Sequence, residues 1–363
     1  MLSTAAKHPL PVGTDSSSAT RSQNDRTPLD VFNRPIRDLR ISVTDRCNFR
    51  CTYCMPFDEY PWIPTAQILT FEEIERLAKA FVGLGVDKIR LTGGEPLLRA
   101  NLEDLVQRLA AIAGLRDLCL TTNGSLLAQK AAALKAAGLR RINISLDTLD
   151  PDKFRRIRRR GELQQVLDGL FAAREAGLDP IKLNAVVQRG VNDDDIIPLV
   201  DFCREHGFAI RFIEFMDVGN ANSWGADKVV SKREILDTIH SRYPLRETGR
   251  DRGSAPAVDY EFADGGGDIG VIASITEPFC STCTRARLTA DGQLVTCLFA
   301  TGGHDLKSTL RNGANDDDLA KAIASVWRRR VDRYSDLRLE AMASREGYQA
   351  REHAKIEMIT LGG

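Results

Sequence analysis

The amino-acid sequence predicts an α/β protein built on a parallel β-sheet, and three observations lead to that fold class. Between about residues 38 and 240, short apolar runs alternate with segments whose apolar residues recur at helical spacing. Glycines such as Gly138 and Gly177 fall near the ends of the helical segments, where C-terminal caps are expected. Polar residues collect directly after the apolar runs. Regular βα alternation of this kind implies parallel strands joined by right-handed crossovers.

Six strand–helix units are predicted, and their helices are rich in Ala, Leu, Glu and Arg. Six units are fewer than the eight that close a complete (βα)8 barrel, so the residues allow an open doubly wound sheet or an incomplete barrel. The predicted strands are Leu39–Val43, Lys88–Leu91, Asp117–Thr121, Arg141–Leu146, Ile181–Val187 and Ile210–Phe215. The predicted helices lie near residues 71–84, 101–113, 126–137, 163–176, 193–207 and 231–242.

Functional groups of both sheet types lie at the carboxyl ends of the strands. The polar residues in these positions are Cys47, Thr92–Glu95, Thr121–Gly124, Ser145–Asp147 and Glu214–Asp217.

The chain is predicted to have three parts. Residues 1–30 are rich in Ser, Thr and Pro and lack the apolar core of a signal peptide, so we expect a disordered polar leader. Residues 31–245 form the predicted core. Residues 246–363 form a predicted extension packed on that core, with a turn at Gly265–Gly267 and a helix near 316–332.

Charge and hydropathy exclude several classes of function. The 363 residues include 50 basic and 50 acidic side chains, so no overall charge directs the chain to nucleic acid or an anionic membrane. No apolar run approaches the roughly 20 residues that span a bilayer. Acidic neighbours favour a solvated helix face for the basic run 155–160, ahead of a contact with substrate or a partner. Without an export signal, we expect the protein in the cytoplasm.

The first candidate site is Cys47-Asn-Phe-Arg-Cys51-Thr-Tyr-Cys54, directly after the first predicted strand. Three thiolates at this spacing can hold three irons of a [4Fe–4S] cluster and leave the fourth iron open to a small molecule. Zinc would need a fourth ligand, and a ferredoxin a fourth cysteine, and neither lies nearby. Three unconnected core cysteines are disfavoured because Asp45 and Arg50 make the loop polar.

The other cysteines divide into a second group and two isolated residues. Cys280, Cys283 and Cys297 form a second triplet, whereas Cys119 and Cys203 stand in apolar surroundings and are predicted to be small buried hydrophobes. Eight cysteines are too few for a disulfide scaffold of this length. Two triplets without an export signal indicate two metal sites in a reducing compartment.

The first half of the chain resembles the radical S-adenosylmethionine (SAM) enzymes. The resemblance is carried by the CxxxCxxC loop, with Tyr53 before its last cysteine, and by Thr92-Gly-Gly-Glu-Pro96 after the second predicted strand. Alone, the second motif would be an ordinary βα turn. One βα unit after the cysteines, it resembles the turn that binds the amino group of SAM in that superfamily. The resemblance implies an incomplete (βα)6 barrel.

The second half resembles the GTP 3′,8-cyclases of molybdenum cofactor biosynthesis. Cys280-Ser-Thr-Cys283 with Cys297 is similar to the second [4Fe–4S] site of that family. The intervening Thr284-Arg-Ala-Arg-Leu288 and the terminal Gly-Gly are also features of it. The resemblance extends from about residue 30 to the C-terminus. The alternative for the second triplet is a structural zinc with His304 as the fourth ligand.

The resemblance implies two [4Fe–4S] clusters and SAM as cofactors. SAM cleavage at the first cluster would lead to loss of a hydrogen from C3′ of GTP and bond formation between C3′ and C8 of guanine. The second cluster would hold the guanine ring. The residues implied to contact SAM are Tyr53, Gly94, Ser145 and Met216.

A triphosphate requires converging cations, and arginine forks match its geometry. Arg40, Arg90 and Lys182 interrupt apolar strands, where an unpaired cation is costly, so we favour ligand binding for them. The residues predicted to bind GTP are Arg40, Lys88, Arg90, Thr121, Lys182, Arg285 and Arg287.

The family resemblance also assigns a catalytic set. This set comprises Cys47, Cys51, Cys54, Arg285, Arg287, Gly362 and Gly363. The terminal glycines resemble a flexible finger that enters the active site, so truncation should affect activity rather than folding.

The partners implied by the resemblance are an electron donor such as reduced flavodoxin or ferredoxin and a downstream cyclic pyranopterin monophosphate synthase. A homodimer and the role of Phe57–Gln67 are left open. One alternative function is another two-cluster radical SAM enzyme that modifies a peptide, but Arg285 and Arg287 argue against it because a peptide needs no triphosphate clamp. The other is a non-catalytic iron–sulfur or zinc protein.

Overall fold

The computed structural model describes residues 27–344, 348 and 355–362, and its centre is a row of six parallel strands in chain order. Each strand pairs with the next through a parallel ladder. The strands are β1 Asp38–Ser42, β2 Lys88–Thr92, β3 Asp117–Thr122, β4 Arg141–Ser145, β5 Ile181–Val187 and β6 Ala209–Glu214. The predicted α/β class and the parallel sheet are therefore confirmed.

Helices connect these strands, as the periodicity predicts. They are α1 Phe71–Gly83, α2 Leu102–Ala110, α3 Leu127–Ala136, α4 Pro151–Arg158, α5 Leu163–Glu175, α6 Ile196–His206 and α7 Lys232–His240. Local sequence explains where α4 begins, because Pro151 occupies its first turn and the Asp150 carboxylate accepts hydrogen bonds from the backbone N–H groups of Asp152 and Lys153.

The sheet has one apolar and one polar face, because side chains alternate along a strand. In β1 and β2, the side chains of Leu39, Ile41, Ile89 and Leu91 are almost fully buried in the core with the helices. The intervening positions carry charged or polar side chains instead. Parallel sheets covered on both faces usually consist of continuous apolar runs, so this polar face is the candidate surface for a ligand.

The extension continues the same sheet. Strand β10 pairs in parallel with β1, and β9 pairs in parallel with β6. The strands of the extension are β7 Leu245–Gly249, β8 Val258–Phe262, β9 Asp268–Ile272, β10 Arg285–Leu288, β11 Gln293–Val295 and β12 His304–Asp305. Its helices are α8 Leu306–Arg311, α9 Asp316–Arg328, α10 Tyr334–Ala343 and α11 Met358–Leu361. The result is an open twelve-stranded sheet that begins with β12 and ends with β7.

Several smaller predictions can be compared with the structure. Cys119 and Cys203 are buried, as expected, and Gly265–Gly267 forms the turn between β8 and β9. Residues 1–26 of the predicted leader lie outside the described residues. Asp30, at the end of that leader, is instead buried and forms ion pairs with Arg34 at 2.6 Å and Arg330 at 3.3 Å. The last residues of the predicted leader therefore belong to the folded part of the chain.

None of the helices in the described ranges is long and apolar enough to cross a membrane.

Candidate functional site

The candidate site is a cavity of about 290 Å³ along the polar face of the sheet. Both cysteine triplets line it, although they lie at opposite ends of the sequence. Most of the predicted site residues belong to the same wall. They are Arg40, Cys47, Cys51, Tyr53, Cys54, Arg90, Gly94, Thr121, Ser145, Met216, Cys280, Cys283, Arg285, Arg287 and Cys297.

The loop of the first triplet follows β1 and is held by the end of α4. The backbone N–H of Arg50 donates to the carbonyl of Arg158 at 2.9 Å, and that of Thr52 donates to the carbonyl of Ile157 at 3.0 Å. Within the loop, the N–H of Cys54 donates to the carbonyl of Cys51 at 3.1 Å. The loop conformation that brings the three thiols to the cavity therefore depends on a helix about 100 residues later in the chain.

The arginine run at the end of α4 differs from the expected solvated face. Arg155 and Arg156 are exposed, but Arg158 is 3% exposed and lines the cavity. Arg159 donates to the carbonyl of Pro56 at 2.5 Å and forms an ion pair with Asp58 at 3.1 Å. The run thus both contributes to the site and attaches the start of the unassigned segment Phe57–Gln67 to α4.

The Gly-Gly-Glu-Pro turn after β2 packs directly on the first cysteine loop. The N–H of Gly94 donates to the carbonyl of Thr44 at 2.7 Å, and that of Glu95 donates to the carbonyl of Arg46 at 2.7 Å. A Cβ atom at Gly94 would lie 2.3 Å from the Arg46 carbonyl oxygen. Backbone contact between the two loops therefore requires glycine at this position, independently of any ligand.

Glu95 holds this turn against the end of β3. Its carboxylate is 1% exposed and accepts hydrogen bonds from the Thr122 hydroxyl at 2.6 Å and the Asn123 N–H at 2.7 Å. Burial raises the pKa of Glu95 to about 7, while the hydrogen bonds favour its charged form.

The four residues predicted to contact SAM all line the cavity. The Tyr53 hydroxyl donates to the Asp147 carboxylate at 2.9 Å, and the Ser274 hydroxyl donates to the Met216 sulfur at 2.8 Å. Ser145 and Gly94 complete this group at the ends of β4 and β2. The side chains of Tyr53 and Met216 therefore have fixed positions in the wall.

Three arginines lie side by side on neighbouring strands. Arg40 of β1 is in register with Arg287 of β10 and with Arg90 of β2. Burial lowers the pKa of Arg40, and the charges of Arg287, Arg90 and Arg285 lower it further. Burial and the charge of Arg285 likewise lower the pKa of Arg287 to about 10. Such crowding of like charges favours a bound polyanion.

Lys88 and Lys182 line a second cavity that adjoins the first. The two cavities share Arg40, Arg90, Arg211 and Arg285 in their walls. The Lys88 ammonium lies 3.6 Å from Asp38 and 3.7 Å from Asp117, so two carboxylates balance its charge. Lys182 differs, because burial and the charge of Arg211 lower its pKa to about 8.

Sequence reasoning missed Arg211, which lines both cavities from β6. Its guanidinium is paired with Asp259 at 3.4 Å, and burial lowers its pKa. The signal was present, because Arg211 alternates with Ile210 and Phe212 as Arg40 alternates with its apolar neighbours. Arg141, which lines the second cavity, was also missed.

Arginines also surround the second triplet. The Cys283 sulfur accepts hydrogen bonds from Arg285 at 3.0 Å and Arg330 at 3.2 Å. Burial opposes ionisation of Cys283, but these two charges lower its pKa to about 7. Burial and Asp332 raise the pKa of Cys297 to about 12. His304, the fourth ligand of the zinc alternative, is exposed on β12 and lies outside the cavity wall.

The C-terminal segment reaches the cavity. Arg287 donates to the carbonyl of Gly362 at 2.5 Å and to that of Leu361 at 3.4 Å. Met358 and Ile359 line the cavity. Gly363, the last residue of the predicted finger, lies outside the described residues.

Asp217 anchors this segment. Its buried carboxylate accepts from the Lys355 ammonium at 2.7 Å, the Tyr334 hydroxyl at 2.7 Å, Arg338 and the Tyr348 hydroxyl. Burial opposes ionisation, but Arg338 and Lys355 hold the pKa of Asp217 below its ordinary value. Residues from α10 and from the chain end are thereby attached directly after β6.

Each cysteine triplet supplies three thiols, the kind of ligand that iron–sulfur clusters take. All eight cysteines are free. In the described part of the chain, no three His, Cys, Asp or Glu side chains come close enough to hold one metal ion. A four-iron cluster binds its thiolates at separate corners and therefore spaces them more widely. Burial raises the pKa of Cys47 to about 12, so metal binding there must displace a proton.

Two family models match the chain. Residues 41–203 match the Radical SAM superfamily, and residues 208–336 match the family described as Molybdenum Cofactor Synthesis C. The first match ends within α6, and the second begins just before β6.

Similar proteins cover almost the whole chain. A protein named GTP 3′,8-cyclase from Xanthomonas campestris pv. campestris (strain B100) is 49% identical over 338 residues, which are 92% of this chain and 97% of that protein. A protein of the same name from Acidothermus cellulolyticus is 50% identical over 356 residues, covering 92% of this chain and 98% of that protein.

Solved structures share the fold at low sequence identity. The crystal structure of Streptococcus suis SuiB bound to S-adenosylmethionine aligns with a TM-score of 0.56 and 16% identity, covering 85% of this chain and 69% of that one. At this identity, the similarity concerns the fold alone.

Proposed function

The chain belongs to the GTP 3′,8-cyclase family of radical SAM enzymes, and we propose that the cavity lined by both cysteine triplets carries out the cyclisation of GTP with two [4Fe–4S] sites facing one substrate. It is a lyase of molybdenum cofactor biosynthesis, and its product is 3′,8-cyclo-7,8-dihydroguanosine triphosphate. The first cluster site comprises Cys47, Cys51 and Cys54. The second comprises Cys280, Cys283 and Cys297.

One observation carries the proposal: both cysteine triplets and the crowded arginines line the same cavity. A peptide-modifying enzyme could have two clusters, but it would gain nothing from the adjacent guanidinium groups of Arg40, Arg90 and Arg287. These three positive groups repel one another, and a bound triphosphate, with about four negative charges, relieves that repulsion. The geometry therefore favours GTP over a peptide.

Within this site, the side chains of the protein bind and orient the substrate. Arg40, Arg90 and Arg211 take the triphosphate, with Lys182 contributing a further charge at the adjoining cavity. Thr121, whose hydroxyl accepts a hydrogen bond from Arg90 at 3.1 Å, supports the nucleotide beside them. Lys88 acts more weakly, because Asp38 and Asp117 already balance its charge.

SAM and the first cluster supply, when bound, the radical chemistry that removes a hydrogen from C3′ of the ribose. Tyr53, Gly94, Ser145 and Met216 form the wall that positions SAM. SAM and GTP bound together would displace water from the cavity, which protects a reactive centre from side reactions.

Arg285 and Arg287 link the substrate to the second cluster site. Arg285 already donates to the Cys283 sulfur, and Arg287 holds the Gly362 carbonyl. GTP phosphates compete with that carbonyl for Arg287, so substrate binding and the position of the tail are coupled. Gly362 and Gly363 are in this way part of the catalytic machinery.

The finer features of the family complete the proposal. The open sheet curves as an incomplete (βα)6 barrel. Reduced flavodoxin or ferredoxin supplies the electron, a cyclic pyranopterin monophosphate synthase consumes the product, and the enzyme acts in the cytoplasm.

The decisive experiment is anaerobic incubation of the iron- and sulfide-reconstituted protein with GTP, SAM and a reductant. We expect about eight irons per chain, together with 5′-deoxyadenosine and the cyclised nucleotide. Absence of 5′-deoxyadenosine from fully loaded protein would refute the radical mechanism. If 5′-deoxyadenosine forms while GTP is untouched, the substrate is wrong. Zinc without sulfide would instead support the non-catalytic alternative.

A further inference from the structure

We propose that Arg158 is a positioning residue of the first cluster site, where its charged hydrogen bond to Cys51, balanced by Asp147, sets how readily the site accepts an electron. The inference rests on the proposed cluster at Cys47, Cys51 and Cys54. It concerns a residue that the cysteine motif does not include.

Arg158 contacts a cluster cysteine directly. Its Nη1 atom donates to the Cys51 sulfur at 3.0 Å and to the Tyr53 hydroxyl at 2.8 Å. Its Nη2 atom forms an ion pair with an Asp147 carboxylate oxygen at 2.9 Å. The guanidinium thus joins a residue of the cysteine loop to a carboxylate at the end of β4.

Packing alone does not explain this arrangement. The side chains of Arg158 and Asp147 are 3% and 2% exposed, and desolvating two charges costs about as much as their attraction returns. The Nε and Nη2 atoms of Arg158 have no hydrogen-bond partner in the described part of the chain, although Nη2 is ion-paired with Asp147 and Arg158 lines the cavity. A buried donor left in the wall of the cofactor cavity indicates an electrostatic role towards what binds there.

The carboxylate is equally well fixed. One Asp147 oxygen accepts from the Val186 N–H at 3.0 Å, and the other accepts from the Tyr53 hydroxyl at 2.9 Å. The Asn192 side chain donates to the Asp147 carbonyl at 2.9 Å. The positive and negative groups therefore cannot move away when the charge of the site changes.

The electrostatic consequence has a defined sign. When one electron passes from an external reductant to the site, no bond breaks and no proton moves. The site becomes one unit more negative while Arg158 stays positive. A charge-assisted donor on the Cys51 sulfur stabilises the reduced form more than the oxidised form, which raises the midpoint potential. The Asp147 charge opposes this effect.

The two residues should therefore shift the potential in opposite directions. Arg158→Met removes the donor and leaves Asp147 unbalanced, so the midpoint potential should fall. Asp147→Asn keeps the shape and removes the negative charge, so the potential should rise. A change of about tenfold in the ratio of reduced to oxidised cluster corresponds to ~59 mV for a one-electron couple. A merely structural role would not produce shifts of opposite sign.

The test is an EPR-monitored redox titration of the full-length chain with dithionite. The parent chain for this test carries Cys280→Ser, Cys283→Ser and Cys297→Ser together, so that only the first site remains. Arg158→Met and Asp147→Asn are each introduced into this parent, and the unaltered two-site chain is titrated beside it. The matched control is Arg155→Met, which removes an exposed charge from the same helix and should leave the potential unchanged.

The possible outcomes separate the inference from the proposed function. No iron or sulfide in the parent chain would overturn the proposed cluster itself. If the parent binds its cluster but both variants titrate at the potential of the parent, the inference alone is overturned. The same holds if the Arg158→Met and Asp147→Asn variants shift the potential in the same direction. Failure of both variants to bind iron would also overturn it and assign the pair to cluster assembly.

Discussion

At the scale of single residues, the cations of the site differ in how they keep their charge. Arg40 and Arg211 carry guanidinium groups, which keep their charge more firmly than an ammonium group does. Lys182 is the exception, because burial and Arg211 lower its pKa to about 8. The contribution proposed for Lys182 in triphosphate binding would therefore depend on pH in a range that is easily measured.

We expect GTP to bind the free protein more weakly as the pH rises through about 8, because Lys182 loses its proton there. A lost charged contact of about 1.4 kcal/mol would weaken binding about tenfold. The measurement is the dissociation constant of GTP between pH 7 and 9 for wild type and Lys182→Arg. Since the ionisation of GTP is the same in both experiments, the difference between the two pH profiles of the dissociation constant is due to Lys182. Identical profiles would contradict a role for Lys182 in GTP binding.

Deprotonation of Lys182 should weaken GTP binding but increase the stability of the folded protein. Its pKa in the folded protein lies below the ordinary value of 10.5, so between about pH 8 and 10.5 the unfolded chain binds more protons. The free energy of unfolding should rise with pH in that window and lose this dependence in Lys182→Met. Urea unfolding at several pH values measures the effect.

Gly94 is a residue whose replacement should affect the cofactor loop. In Gly94→Ala, the new methyl group would lie 2.3 Å from the Arg46 carbonyl and 2.5 Å from that of Asp45, and neither backbone atom can rotate away. We expect a loss of stability on the order of 1–3 kcal/mol and reduced iron binding at the first site.

Gly83→Ala is the matched control for Gly94→Ala. Nothing lies within 4 Å of a Cβ at that position, which ends α1, so stability and iron content should be kept. Iron analysis and thermal unfolding of both variants test this prediction. Equal iron content in the two would contradict the loop contact.

At the scale of elements, the polar strand face could be predicted only in part. A cation between apolar residues is costly, which singles out Arg40, Arg90 and Lys182 in the sequence, and Arg211 obeys the same alternation. The burial of Arg158 could not be predicted, because it follows from contact between α4 and the loop of Cys51, which are far apart in the sequence. Helical periodicity places a residue on a face but does not say what covers that face.

The attachment of the C-terminal segment depends on one carboxylate after β6. In Asp217→Asn, Arg338 and Lys355 lose the charge that compensates their burial, which costs about 3–5 kcal/mol when a buried pair is broken. We expect the segment 355–362 to detach from the cavity, with faster amide hydrogen exchange there than in β1–β6. Asp237→Asn, at an exposed position of α7, is the control and should not change exchange in the segment. Unchanged exchange in Asp217→Asn would contradict the anchor.

At the scale of the whole molecule, the boundary predicted near residue 245 divides the sequence but runs through one sheet. The apolar alternation of β1–β6 made the core predictable. The pairing of β9 with β6 and of β10 with β1 was not, because register between distant segments leaves no local pattern. The polar composition of residues 246–268 further obscured β7 and β8, which lie at the sheet's end. The cavity needs both halves, since one cysteine triplet comes from each.

This continuity predicts that the first half cannot stand alone. A chain ending after His240 would expose the edges of β1 and β6, and it would lose buried side chains such as Val271 and Leu288 that pack in the same core. Exposed edges pair with other chains, so we expect aggregation or non-cooperative unfolding. A chain ending after Ala343 keeps all twelve strands and should unfold cooperatively near the full-length temperature. Calorimetry and sedimentation distinguish the two. A monomeric, cooperatively folded chain ending at His240 would mean that the sheet is two units joined at β1 and β6, and the cavity would then be an interface between domains rather than part of one core.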